Sequence, residues 1–227
     1  MYNGHMEYII RILDIQPVTH DVKQFRLGKP LGFEFTPGQA TSVAINQPDL
    51  KEETRPFTFT SLNVDPYLEF IIKAYPDHHG ITEKIHQLNV GDELLIEDPW
   101  GTIQYGDQGT FIAGGAGITP FIAILRQLDK DGKIDGNQLI FSNKTSEDII
   151  LQEELKEILP AKNLFLVLTR EDNPDFLHGR VDEAFLKKYI QNFDQNFYVC
   201  GPKGMVADLK SILVGLGASQ QAFVFEK

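Results

Sequence analysis

The sequence predicts a two-domain protein, an antiparallel β-barrel followed by an α/β domain with a parallel sheet. Three observations predict it. The chain has 227 residues, enough for two small domains. Through about residue 100, short apolar runs are punctuated by Gly, Pro and Asp, with no long helical pattern. Beyond about residue 106, strand-like runs alternate with helical patterns, which is the grammar of a parallel sheet with helices on both faces. The junction is expected in the Gly-rich stretch Gly101 to Gln108, dividing the chain into residues 1–103 and 104–227.

In the first part, strands are expected at Tyr8 to Ile15, Val22 to Leu27, Thr41 to Ile45, Arg55 to Thr60, Leu68 to Tyr75 and Glu93 to Glu97. A turn at Pro17 separates the first two, and one short helix fits Ile81 to Leu88. In the second part, strands are expected at Phe111 to Ala113, Gln138 to Phe141, Leu164 to Leu168, Phe197 to Cys200 and Ala222 to Phe225. Helices alternate with them at Pro120 to Leu128, Ile150 to Ile158, Asp182 to Ile190 and Lys203 to Leu213.

Composition removes several classes of function. A net charge of −11 opposes binding to nucleic-acid phosphates or to an anionic membrane surface. No apolar run reaches the roughly 18 residues a membrane helix needs. The first residues, with Met6 as a second candidate start, have neither the basic nor the apolar region of a signal peptide, so a cytoplasmic location is expected. The single cysteine, Cys200, excludes an internal disulfide and a cluster held by four cysteines of this chain. His78-His79 reads as a surface loop, because neighbouring strand residues point to opposite faces; no metal site is expected.

Two stretches carry chemistry. Gly114-Gly115-Ala116-Gly117-Ile118-Thr119-Pro120 lies between a strand and a helix. Glycines let backbone approach a ligand closely, Thr119 suits the N-cap and Pro120 the first helical position. The free N–H groups and positive dipole end then suit a pyrophosphate, although the stretch is not a G-x-G-x-x-G. Arg55-Pro56-Phe57-Thr58-Phe59-Thr60-Ser61 is a strand whose alternation sends Arg55, Phe57, Phe59 and Ser61 to one face. It offers a guanidinium for phosphate, a ring for stacking and a hydroxyl for a ring nitrogen. An ordinary amphipathic strand would have the same composition. Gly80-Ile81-Thr82 opens a helix and offers a second anion site or a plain cap, and Cys200-Gly201-Pro202 ends a strand on the same sheet edge as the glycine turn.

Together these stretches resemble the ferredoxin–NADP reductase-like superfamily. Arg55 to Ser61 is similar to its Arg-x-Tyr-Ser-x-x-Ser/Thr motif, with Phe for Tyr and Thr for Ser; Gly114 to Pro120 and Cys200-Gly201-Pro202 match two further motifs. Pro37-Gly38-Gln39 and Gly91-Asp92 with Pro99-x-Gly101 fall in family order. The resemblance implies a flavin-binding barrel and a nicotinamide-nucleotide domain, with FAD (or FMN) as cofactor and NADH or NADPH as reductant. It implies that Arg55 binds the flavin phosphate, that Pro56 belongs to the cofactor site, that Phe57 packs on the flavin, and that Thr58 bonds near its N5. The backbone of Ile72-Lys73-Ala74 would line the ring, and Gly80, Ile81 and Thr82 would hold the FAD pyrophosphate. Gly115, Gly117 and Thr119 would hold the nicotinamide dinucleotide, Cys200, Gly201 and Pro202 would lie beside the nicotinamide, and Thr169-Arg170 would lie where some members bind a 2′-phosphate.

Phe57 lacks the hydroxyl of the usual Tyr, and Phe225-Glu226-Lys227 lacks the terminal aromatic of plant-type members; Glu226 is a candidate match for a C-terminal acid of others. A fused globin domain is not expected, since the two domains account for the residues of this sequence. The implied acceptor is a ferredoxin or flavodoxin-type carrier or an oxygenase component. Reduction of free flavin, ferric chelates or quinones is the second reading, and a nonenzymatic nucleotide-binding regulatory module the third.

Overall fold

A computed structural model describes residues 7–75, 80–101, 103–219 and 223–225. Met6, His78-His79, Ala222 and Glu226 lie outside the described residues.

The first six strands are β1 (Tyr8–Thr19), β2 (Val22–Gly28), β3 (Ala40–Ile45), β4 (Arg55–Thr58), β5 (Tyr67–Lys73) and β6 (Glu93–Ile96), with helix α1 (Ile81–His86) before β6. They pair antiparallel in the order β4-β3-β6-β1-β2-β5. The two ends of that order meet: the N–H of Thr60, just past β4, donates to the carbonyl of Glu69 on β5 at 2.9 Å, closing the sheet into a barrel. Inward residues of alternate positions, among them Phe25, Leu27, Phe59, Leu68, Phe70 and Ile96, fill it completely.

The expected turn at Pro17 is instead part of β1, which runs on to Thr19. Only β2 pairs this end of β1, and the register slips between Pro17 and Thr19, so the missing N–H disrupts little. Strand β4 ends at Thr58, two residues sooner than expected, because Phe59 and Thr60 turn to bond Gln39 and Glu69.

The second domain has strands β7 (Gly109–Gly114), β8 (Gln138–Asn143), β9 (Leu164–Leu168), β10 (Leu177–His178), β11 (Asn196–Cys200) and β12 (Phe223–Phe225), all parallel in the order β10-β9-β8-β7-β11-β12. Helices α2 (Thr119–Lys130), α3 (Gln152–Ile158), α4 (Glu183–Tyr189) and α5 (Lys203–Gly215) connect them. The two-residue β10 was not foreseen; it is too short to show a pattern. Asp182 caps α4, accepting from the Phe185 N–H at 2.9 Å. Tyr198, wholly buried in β11, ties down the linker: its hydroxyl accepts from the N–H groups of Gly106 and Asp107 and donates to the Asp107 carbonyl.

The two domains share apolar surface. Val22 and Ile71 face outward from the barrel, yet are buried with Phe121, Ile118 and Leu125 of the α/β core. This contact places the β4 and β5 wall of the barrel across from the carboxyl ends of β7 and β11.

Candidate functional site

The main cleft follows from that placement. A cavity of about 570 Å3 is walled on the barrel side by Arg55 to Thr58 of β4, Ile71 to Lys73 of β5, Tyr75 and Thr82. The opposite wall is Gly114, Ala116, Gly117 and Thr119 of the glycine turn and Cys200-Gly201-Pro202 after β11. A second cavity of about 320 Å3 continues past Gly115 to the ends of β8 and β9, at Ser142, Asn143, Lys144 and Thr169. Both volumes fall in the range of ordinary small-molecule sites.

On the barrel wall, Arg55 is exposed and gives one bond to its neighbour's carbonyl, Thr54, at 2.7 Å. Among the described residues no carboxylate pairs with it, so its other donors face outward. Phe57 is half-buried against the barrel core and reaches the cleft. Thr58 is 8% exposed and lines the cleft beside it, so strict strand alternation fails where β4 ends.

On the opposite wall, the turn after β7 is a 3-10 turn, Gly115–Ile118, which runs directly into α2. The expected N-cap at Thr119 is therefore corrected: the 3-10 turn leads into the helix, the cap position falls on Ile118, and Thr119 is already helical with its hydroxyl donating back to the Ala116 carbonyl at 3.1 Å. The glycines have distinct tasks. Gly115 sits at φ +53°, and a Cβ there would meet nothing within 4 Å, so its backbone faces open cavity. At Gly117 a Cβ would lie 2.6 Å from the Gly201 nitrogen and closer still to the Cys200 carbonyl oxygen. Only glycine lets the turn and the end of β11 touch.

The structure thus gathers Arg55, Pro56, Phe57, Thr58, Ile72, Lys73, Thr82, Gly117, Thr119, Cys200, Gly201 and Pro202 about one cleft, and Gly115 and Thr169 about its extension. Ala74, Gly80, Ile81 and Arg170 do not line it. The Ala74 N–H is spent on the Asp21 carbonyl, the Gly80 carbonyl accepts from Glu83 and Lys84, and Ile81 is 2% exposed in the barrel core. Arg170 is exposed, with its N–H on the Lys144 carbonyl. The adjacent Glu171 carboxyl is held below the usual range by the Ser146 N–H and hydroxyl and by Asn173. Ile71, Tyr75, Asn143 and Met205 were not singled out from sequence; each joins the walls through the folding of strands distant from the two motif stretches, whereas Gly114 and Ala116 come with the glycine turn itself.

Lys73 contributes its side chain as well as its backbone. Its ammonium lies 2.5 Å from Asp21 and 4.0 Å from Asp148, bridging barrel and α/β domain at the cleft edge. Burial pushes the Asp21 carboxyl up, but Lys73 outweighs it and holds the group below its ordinary value. His20, Asp21 and Asp148 have metal-like spacing, but the Lys73 ammonium already supplies the cation there.

A barrel wall with an outward-facing Arg and Phe, set across one cleft from a glycine turn at the carboxyl ends of parallel strands, defines a two-domain dinucleotide-dependent flavoprotein reductase. Comparisons agree. The Oxidoreductase FAD-binding domain model matches residues 9–105 and the Oxidoreductase NAD-binding domain model matches residues 111–211. The chain is 31% identical over 225 residues to NADH-cytochrome b5 reductase 1 of Aspergillus terreus, covering 88% of this chain and 74% of that one. It is 28% identical over 235 residues to the reductase component of propane 2-monooxygenase of Rhodococcus jostii, covering 96% of this chain and 62% of that protein. Ferredoxin NADP+ reductase from Neisseria gonorrhoeae, solved with bound FAD and NADP, superposes with a TM-score of 0.82 at 22% identity, over 97% and 98% of the two chains. The chain belongs to the ferredoxin–NADP reductase-like family of flavin-dependent NAD(P)H oxidoreductases. Among the described residues, no helix is long and apolar enough to cross a membrane.

Proposed function

We propose that residues 1–103 hold FAD, that residues 104–227 hold NADH or NADPH, and that the chain passes the electrons to a redox partner. The observation that carries this reading is that Arg55 to Thr58 and Gly117 with Cys200-Gly201 face each other across one cleft, although they come from different domains.

The residues present fit the cofactor. Arg55 keeps free donors for the flavin phosphates, with Thr82 close by on the same wall, and Phe57 offers a flat apolar face for the ring system. Gly115 leaves open backbone where a side chain would fill the cavity, which suits the nucleotide pyrophosphate. When bound, FAD supplies a two-electron acceptor that releases electrons singly or in pairs. The chain's own contribution is alignment. Thr58 would bond at the ring edge, Cys200 and Gly201 would lie beside the nicotinamide, and Thr169 would lie at the far end of the nucleotide path. The closed apolar contact of Val22 and Ile71 with α2 excludes water from behind the reacting groups.

The redox partner in this reading is a ferredoxin, a flavodoxin-type carrier or an oxygenase component, in a cytoplasmic setting where NAD(P)H is supplied. It is supported by the relative that is a monooxygenase reductase component. The test is the visible spectrum of the purified protein followed by anaerobic addition of each nucleotide. A yellow protein bleached by NADH or NADPH is expected. A colourless protein that takes up neither FAD nor FMN would leave only a nucleotide-binding module.

A further inference from the structure

The outer face of the barrel carries a buried charge that the cleft does not use. Glu69 of β5 is 1% exposed. Its carboxylate accepts from the Thr60 hydroxyl at 2.9 Å, the Gln24 amide at 2.7 Å and Arg126 Nη1 at 2.6 Å, with Arg26 at 3.5 Å. Arg126 comes from α2, in the other domain. The same Nη1 donates to the Thr60 carbonyl at 2.7 Å, while Nε and Nη2 fork onto Glu154 of α3 at 2.5 and 2.9 Å. Burial works against the charged guanidinium, but Glu154 and Glu69 more than compensate and hold it more firmly protonated than usual.

The place where Arg126 lands matters. Thr60 and Glu69 form the hydrogen-bonded seam that closes the barrel. Thr58 lies two residues before Thr60, and Ile71 two residues after Glu69; both line the cleft. On the other side, α2 begins at Thr119 against the glycine turn, and Arg126 is seven residues along it, about 10 Å of helix. One side chain therefore connects the wall assigned to flavin with the helix that carries the nucleotide turn.

A buried ion pair is a poor source of net stability, since desolvation offsets most of its attraction. The domains already adhere through Val22, Ile71 and Phe121. What apolar contact lacks is direction, and a guanidinium forked onto three fixed acceptors has it. We propose that Arg126 is a positioning residue for hydride transfer: it sets the rotation of α2 on the barrel seam, and so the approach of the nicotinamide to the flavin. This rests on the reductase reading above.

The test uses the full-length FAD-loaded protein. The double variant Glu69→Gln/Arg126→Gln removes both charges and leaves an amide pair, whereas Arg126→Lys keeps the charge and loses the fork. FAD content and the dissociation constant for NAD+ are measured, then the rate of flavin bleaching at saturating nucleotide, and the long-wavelength charge-transfer absorbance of the nicotinamide–flavin contact. For the double variant, binding is expected to be little changed, bleaching to slow roughly ten- to a hundredfold, and the charge-transfer absorbance to weaken. Arg126→Lys should fall between it and wild type, and carries the comparison if the double variant does not fold. Unchanged bleaching and charge-transfer absorbance in the variants would overturn the proposal, as would loss of FAD or NAD+ binding in step with the rate. Wild-type protein that neither nucleotide bleaches would overturn the reductase reading and this proposal with it.

Discussion

Gly117→Ala tests whether the contact between the glycine turn and the end of β11 sets the site. The added Cβ would lie 2.6 Å from the Gly201 nitrogen. Ordinary van der Waals contact begins at about 3.4 Å, so the overlap is most of an ångström, and it falls on backbone that cannot swing aside. Either the 3-10 turn lifts or Cys200-Gly201 is displaced. Overpacking of this kind costs about 1–3 kcal/mol. For a chain of this size, each kcal/mol lowers the melting temperature by about 2–4 °C. The displacement would also separate the turn proposed for the pyrophosphate from Cys200-Gly201, proposed to lie beside the nicotinamide, and a shift of about 1 Å can cost about a hundredfold in rate. Differential scanning calorimetry and anaerobic stopped-flow bleaching by NADH or NADPH read the two effects. Gly115→Ala is the control. Its Cβ meets nothing, but its φ of +53° disfavours any side chain, at about 1 kcal/mol, and the methyl would enter the nucleotide cavity. It should weaken nucleotide affinity more than the rate at saturation. If Gly117→Ala kept both wild-type melting and wild-type bleaching, the close contact would not be what sets the geometry.

Arg55→Ala should lower affinity for FAD roughly ten- to a hundredfold, the worth of a charge-assisted phosphate contact, with little change in melting of the apo-protein; fluorescence titration of apo-protein with FAD measures it. Tyr198→Phe removes the hydroxyl that holds Gly106 and Asp107, so it should cost about 1–3 kcal/mol in denaturant unfolding while leaving FAD affinity unchanged. His86 provides a pH dependence. Burial pushes its pKa below the ordinary value, against a bond to the Ile72 carbonyl at 2.7 Å that works the other way. The unfolded chain therefore binds that proton more readily. The contribution of His86 is intact above its unfolded pKa of about 6.5 and is lost as pH falls through the lower folded value. Denaturant unfolding at pH 7.5 and pH 5.5 should show a larger loss in wild type than in His86→Gln.

Much of this site was legible because its parts are contiguous. Arg55 to Thr58 and Gly114 to Pro120 each present backbone and side chains from one short run, and a run can be read without knowing its neighbours. The Cys200 strand end could be placed because parallel strands put their carboxyl ends on one edge. Errors arose where local rules met tertiary demands. Thr119 and Pro120 have the composition of a cap and first turn, but Gly115 to Ile118 already coil as a 3-10 turn. Pro17 reads as a break, yet an end of a strand paired on one side tolerates it. Phe57 and Thr58 should face opposite ways, but β4 ends there and both reach the cleft.

Leu68, Phe70 and Ile72 of β5 share one face by strand alternation, and all three are in the barrel core. By the same pattern Glu69 and Ile71 face out, where a charged residue is expected to meet water. They meet the other domain instead. Nothing local could show this, because the partners of Glu69 lie as far along the chain as Arg126, and Arg126 itself has the spacing of a solvated helix position. The informative sign was the odd company on that outer face: Val22, Ile71 and Glu69 place two apolar residues and one acid where a free-standing barrel would be polar. An outward apolar pair is the mark of a covered surface, and there Glu69 takes Arg126 from the covering helix in addition to Arg26 of its own barrel. With FAD on one domain and the nucleotide on the other, as proposed, that covered surface is where their alignment would be set.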